Sequence, residues 1–266
     1  MRNRASPSLT VYVAVACFIL MMPIVIVIVL AFGAQDFLKF PPTSYSFRWF
    51  AAFFGNAGWQ QSLLNSAVIA SIACVVATVI GFFAAYALVR SSMRGKKLLL
   101  SFMLLPIIIP QIITAIALYF LSGKLGLIGN VVWIGVCHAV IALPLVLLIL
   151  LPSLNGIDIN LERAALGLGS SRLQVFTKVV VPLAFPGISS AALFAFLASF
   201  DELLLALFLT DVRSETLPVR IWNSLLLQVE PVIAAVSVFL IAVTAVVLLL
   251  DASMRRIRTA GRSGAH

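Results

Sequence analysis

Pro152-Ser-Leu-Asn-Gly-Ile-Asp-Ile-Asn-Leu-Glu-Arg-Ala-Ala-Leu-Gly-Leu-Gly-Ser-Ser-Arg-Leu-Gln-Val-Phe-Thr-Lys-Val-Val-Val-Pro182 is a long loop between strongly apolar runs. Local signals divide it into two short helices. Asp158 or Asn160 can cap the first, because a short polar side chain accepts from the free amides of a first turn. Leu161, Ala164, Ala165 and Leu168 fall at i, i+3, i+4 and i+7 and line one apolar face. Glu162 and Arg163 point away from that face. Gly169 suits the position after a helix end, where φ turns positive. Ser171 followed by Gln174 is a capping box that opens a second helix. Pro182 and Pro186 mark entry into the next apolar run. A surface helix with a small-residue face and a glycine behind it suits docking in another protein's groove. An amphipathic helix resting on lipid is the competing reading.

Outside this loop the chain is apolar. Of its 266 residues 62% are hydrophobic and 10% charged, and mean hydropathy is +1.15. Soluble domains carry about 25% charged residues. So few charges cannot solvate a globule, which excludes an ordinary soluble enzyme, a disordered chain and a nucleic-acid-binding domain. Six runs reach the roughly 20 apolar residues that a membrane helix needs. They cover residues 9–33, 62–89, 98–121, 127–151, 183–209 and 232–250. The first run is longer than the roughly 7–15 residues of a signal h-region, so it reads as a mature span. The expected fold is all-α and polytopic, with six transmembrane helices. Residues 1–8 form one terminus, 152–182 the connecting loop and 251–266 a basic tail.

The net charge of +9 follows the membrane. Arg2, Arg4, Arg90, Arg94, Lys96, Lys97, Arg163, Arg172, Lys178, Arg255, Arg256, Arg258 and Arg262 fall on one side of a six-span topology. Lys39, Arg48, Lys124, Arg213 and Arg220 fall on the other. Cations collect on the cytoplasmic side, which places both termini there. Pro23, Pro106, Pro110, Pro144 and Pro186 sit in or beside spans. Such kinks persist where neighbouring helices or cavity water satisfy the freed carbonyls. Cys17, Cys74 and Cys137 read as small buried hydrophobes without disulfides. His138 and His266 have no ligand set around them. Trp59, Trp133 and Trp222 mark membrane interfaces rather than a substrate cage.

Asp201 and Glu202 interrupt the fifth run. A carboxylate inside a span costs about 3 kcal/mol on insertion scales and marks a functional site by default. At about 1.5 Å per residue, Asp201 lies roughly 28 Å from Pro182, toward the outer half. There it can attract a cationic amine. The alternative is an ion pair with Arg213, Arg220 or a partner's arginine.

The loop resembles the EAA loop of ABC importer permeases. Arg163-Ala164-Ala165, three residues and Gly169, then nine residues and Val179-x-Val181-Pro182, keep that motif's spacing. Arg163 stands where the motif has Glu, and Glu162 precedes that position. Ser199-Phe200-Asp201-Glu202, Thr216-Leu217-Pro218, Ile221-Trp222 and Pro231-x-Ile233-Ala234-Ala235 are similar to the spermidine/putrescine branch and its second permease subunit. The resemblance covers roughly residues 63–250 and implies the type I permease fold over a domain at 60–250. It implies a substrate pathway for a polyamine or related amine, in the inner membrane. It also implies two ATP-binding subunits, a second permease subunit and an extracytoplasmic binding protein as partners, with Glu162, Arg163, Ala164, Ala165, Gly169 and Pro182 coupling to the ATPase.

The chain has no G-x-x-x-x-G-K-[ST] loop, since Gly95-Lys96 and Gly123-Lys124 lack the upstream glycine. ATP and Mg are therefore expected on partner subunits, with no cofactor on this chain. An intramembrane protease would need paired aspartates, a Ser/His pair or zinc ligands, and a channel would not need the docking loop. Other cargoes in the same importer class are an amino-acid-like compound, an opine, an aminophosphonate or an iron chelate.

Overall fold

The computed structural model describes residues 7–92, 94–227 and 230–263. Arg2, Arg4 and His266 lie outside the described residues, as do the side chains of Arg255, Arg256, Arg258 and Arg262. The helices are α1 (Pro7–Ala31), α2 (Arg48–Gly55), α3 (Ala57–Arg90), α4 (Lys96–Ile108), α5 (Gln111–Leu125), α6 (Val131–Asn155), α7 (Ile159–Gly167), α8 (Arg172–Val175), α9 (Val181–Phe200), α10 (Leu204–Leu209), α11 (Leu217–Leu227) and α12 (Val232–Ser263). A π-helical stretch, Phe176–Val180, joins α8 to α9. Among the described residues five helical segments are long and apolar enough to cross a membrane, and there are six if the bent pair α4–α5 is one span. The fold is all-α and polytopic.

Three elements depart from the sequence reading. The expected third span, 98–121, is two helices meeting at 99°. Pro110 cannot donate to the carbonyl one turn back, and it forces Ile109 into an extended conformation (φ −72°, ψ 132°). The fifth run is also not one helix over 183–209. Its helix begins at Arg172, within the expected loop, and ends at Phe200. Asp201 there has φ −95° and ψ 7°, and α10 follows. The third departure is α12, which continues past Leu250 to Ser263.

The chain forms two compact units. One comprises the residues up to Gln60 together with Ile221–Thr244. In it a loop after α1 is closed by Ala34 N–H donating to Ser44 O (3.0 Å) and Ser46 N–H donating to Phe32 O (2.7 Å). The short helix α2 buries Phe53 against Trp59 and Phe239, with ring centroids 6.0 and 5.4 Å away. Trp59 is thus buried in an aromatic cluster. Cys17 is exposed on α1. The expectation of three buried cysteines therefore fails there, because α1 turns most of its side chains outward.

The other unit comprises Gln61–Arg220 together with the stretch from Ala245. Its main core joins Ala73, Ala77 and Ala85 of α3, Ala139, Ala142, Val146 and Leu150 of α6, and Ala184, Ala191 and Ala195 of α9. Lipid is as apolar as leucine, so membrane helices gain by close van der Waals approach, which small residues permit. Cys137 is buried in a second cluster with Ile69, Ala115, Ile134, Leu205 and Leu209. Cys74 is half-buried, with its thiol on Ala192 O. Trp133 Nε1 donates to Ser122 Oγ (2.8 Å) and ties α6 to the end of α5; Trp222, in the first unit, is exposed.

Candidate functional site

Two places in the second unit gather the polar groups that the apolar bundle sets apart. The first is α7. Asp158 is its cap, accepting from Asn160 N–H at 2.9 Å. Its far end closes with Ser170 N–H donating to Ala165 O (3.1 Å) and Gly169 N–H donating to Leu166 O (3.0 Å). That pair of bonds is a Schellman motif, and its turning residue needs positive φ. Gly169 supplies it, with φ +88°. Ser171 and Gln174 form the reciprocal capping box of α8. Leu161, Arg163, Ala164, Leu166 and Leu168 are exposed, Ala165 half-buried, and Leu168 is 89% accessible. A short helix fixed at both ends presents an uncovered apolar face.

Glu162 does not point outward as the helical pattern suggested. It is buried and pairs with Arg90, the last residue of α3, whose Nε donates to Glu162 Oε1 at 2.7 Å. Arg90 Nη2 also donates to Ile157 O at 2.9 Å. A guanidinium offers several donors in a fixed fork, so one side chain grips both the carboxylate and the backbone ahead of the cap. Arg163 is the exposed member of the adjacent pair. Pro182 sits at the start of α9, directly behind the π stretch. Val181 N–H there reaches back to Phe176 O. A proline ring crowds the carbonyl four residues earlier, and a widened turn relieves that crowding.

The second place is the break between α9 and α10. Glu202 Oε1 accepts from Leu205 N–H (3.0 Å) and so caps α10. Its other oxygen accepts from Gln111 Nε2, at the start of α5. The two helix breaks, at Pro110 and at Asp201–Leu203, are therefore joined by one hydrogen bond. Asp201 is exposed and its carboxylate has no ion-pair partner among the described residues. Neither acid meets Arg213 or Arg220. Arg220 pairs with Glu215 (3.2 Å), and Arg213 gives its carbonyl to Asn65 Nδ2 (2.9 Å). Close by in sequence, Ser199 Oγ contacts His138 Nδ1 at 2.9 Å, while the buried Nε2 has no hydrogen-bond partner among the described residues.

Sequence reasoning missed Arg90, Gln111 and the His138–Ser199 pair. Arg90 looked like one more cation flanking a span. Gln111 carried one signal, an amide directly after a proline in an apolar run. No group of three or more His, Cys, Asp or Glu among the described residues is arranged to hold a metal.

A polytopic helical bundle with broken helices and an exposed apolar surface helix fits the membrane component of a solute transporter. Residues 77–259 match the family described as binding-protein-dependent transport system inner membrane component, and the chain belongs to that family. It is an ABC importer permease, a multi-pass membrane protein and a transport component rather than an enzyme. It is 28% identical over 237 residues to the spermidine/putrescine transport system permease protein PotC of Haemophilus influenzae, covering 89% of this chain and 92% of that one. It is 36% identical over 188 residues to the trehalose transport system permease protein SugB of Mycobacterium tuberculosis, covering 70% and 68%. Among solved structures, a bacterial ABC transporter involved in the import of the acidic polysaccharide alginate superposes with a TM-score of 0.72. At 18% identity, over 95% of this chain and 98% of that one, it shows a shared fold.

Proposed function

We propose that this permease carries a polyamine, spermidine or putrescine, or a related amine across the inner membrane by alternating access. It does so with two ATP-binding subunits, which hold ATP and Mg, a second permease subunit and an extracytoplasmic binding protein. Both termini face the cytoplasm. The exposed face of α7 seats on the ATPase, and Glu162, Arg163, Ala164, Ala165, Gly169 and Pro182 form or support that seat. ATP-driven closure moves α7, and the bundle tips to receive ligand from the binding protein. The two states must lie within a few kcal/mol of each other for ligand and nucleotide to shift them.

The observation that carries the cargo reading is Asp201, an exposed carboxylate at the break after α9 without an ion-pair partner among the described residues. It offers a negative charge to an ammonium, while Glu202 is engaged by Gln111 and Leu205. The PotC relatives agree with an amine cargo. The test is uptake into proteoliposomes holding the full assembly and its cognate binding protein. Labelled spermidine or putrescine should accumulate with ATP, and Asp201→Asn should lower uptake while the complex stays assembled. ATP-dependent uptake of a neutral sugar with no uptake of either amine would overturn the cargo reading.

A further inference from the structure

The inner end of α3 holds more than α7. Phe176 of the π stretch lies among three α3 rings: Phe82 at 5.8 Å, Phe83 stacked at 5.9 Å and Tyr86 edge-on at 5.2 Å. One turn beyond Tyr86, Arg90 forks onto Glu162 Oε1 and Ile157 O. Both members of the ion pair are largely shielded, their side chains 14% and 11% accessible. One helix end thus clasps the docking helix by a polar fork and the root of α9 by aromatic packing. A shielded two-point guanidinium contact resists sliding in a way that a single surface ion pair does not.

We propose that Arg90 is a positioning residue that makes α7 and α3 move as one body, so that displacement of α7 enters the bundle through α3 as well as along the chain into α9. The backbone route from α7 to α9 is longer and runs through the Gly169 turn, α8 and the widened π turn. The Arg90 route is short and has no glycine in it. This inference rests on the proposed seating of α7 on an ATPase.

The experiment reconstitutes the full assembly in proteoliposomes and measures uptake per ATP hydrolysed at equal amounts of assembled complex. Wild type must first show ATP-dependent uptake; its absence would count against the importer reading and not against Arg90. Given that uptake, Arg90→Ala is expected to lower the ratio about fivefold or more, the scale of a modest coupling free energy. Arg90→Lys keeps the charge but loses the fork, and should fall between. An unchanged ratio in both variants overturns the proposal. Should Arg90→Ala fail to assemble, Arg90→Lys decides by the same ratio: a drop supports the link and wild-type coupling overturns it.

Discussion

Asp201 and Glu202 are neighbours in sequence with different surroundings. Glu202 is held from two sides, by the Leu205 amide and the Gln111 side chain. Replacing it with alanine leaves an amide of α10 and an amide of α5 without acceptors, a loss of about 1–3 kcal/mol. We expect Glu202→Ala to lower the melting temperature of the purified complex, whereas Asp201→Asn leaves it near wild type and acts on uptake. His138 gives a second case. Its Nδ1 contacts the Ser199 hydroxyl at 2.9 Å, so Ser199→Ala should destabilise by about 1 kcal/mol, read as the same thermal shift. Outside the spans, the Asp211 carboxyl is held below the usual carboxylate range, first by the Ser214 hydroxyl and then by the Ser214 amide. A lowered folded value means that the 211–214 turn is fully stabilised above the ordinary carboxylate pKa. That stabilisation is lost only as pH falls through the lowered value. Exchange of the Ser214 amide against pH checks this. Local chemistry was legible here: Asp158, Gly169 and the Ser171–Gln174 box follow from neighbours within a few residues. Glu162 was misread because its partner, Arg90, is 72 positions away, and helical periodicity carries no information about distant charges.

At the scale of elements, the apolar runs marked where helices lie but not where they break. Hydropathy averages over some twenty residues and passes smoothly across Pro110 and across Asp201. The breaks arise from single backbone events, a missing donor at Pro110 and a helix end closed at Asp201, where the Asp201 N–H reaches Leu197 O at 3.1 Å. The π stretch before Pro182 is equally local and carried no composition signal. Packing sets a sharper constraint between α6 and α9. A Cβ added at Gly187 would collide with the Ser153 side chain, so Gly187→Ala should cost about 1–3 kcal/mol by forcing the helices apart. Adding Ser153→Gly should recover most of that loss in a thermal melt. Gly169→Val would place a β-branched residue at positive φ, where even ordinary residues lose roughly 1–2 kcal/mol. We expect it to separate ATP hydrolysis from uptake, and normal uptake at normal expression would contradict that role.

Across the second unit, α3 carries Asn65 near one end and Arg90 at the other, roughly 38 Å apart at 1.5 Å per residue. That matches a hydrocarbon core of about 30 Å plus its borders. Asn65 binds the backbone of Arg213 and Glu215, while Arg90 grips Glu162 of α7 and the Ile157 carbonyl before it. Cations read from the sequence as belonging to opposite sides therefore lie at opposite ends of one helix. The class of molecule was legible because span length, charge segregation and the spacing of one loop all agree. The cargo was less so, since relatives of similar likeness are named for polyamines and for trehalose. The central claim is that α7 transmits an ATPase's movement, and site-directed crosslinking from α7 tests it most directly. In the full assembly, Ala164→Cys carrying a short photoreactive probe should give adducts with the ATP-binding subunit that change with nucleotide. Adducts with lipid alone, from a complex that still contains the ATP-binding subunits, would contradict it.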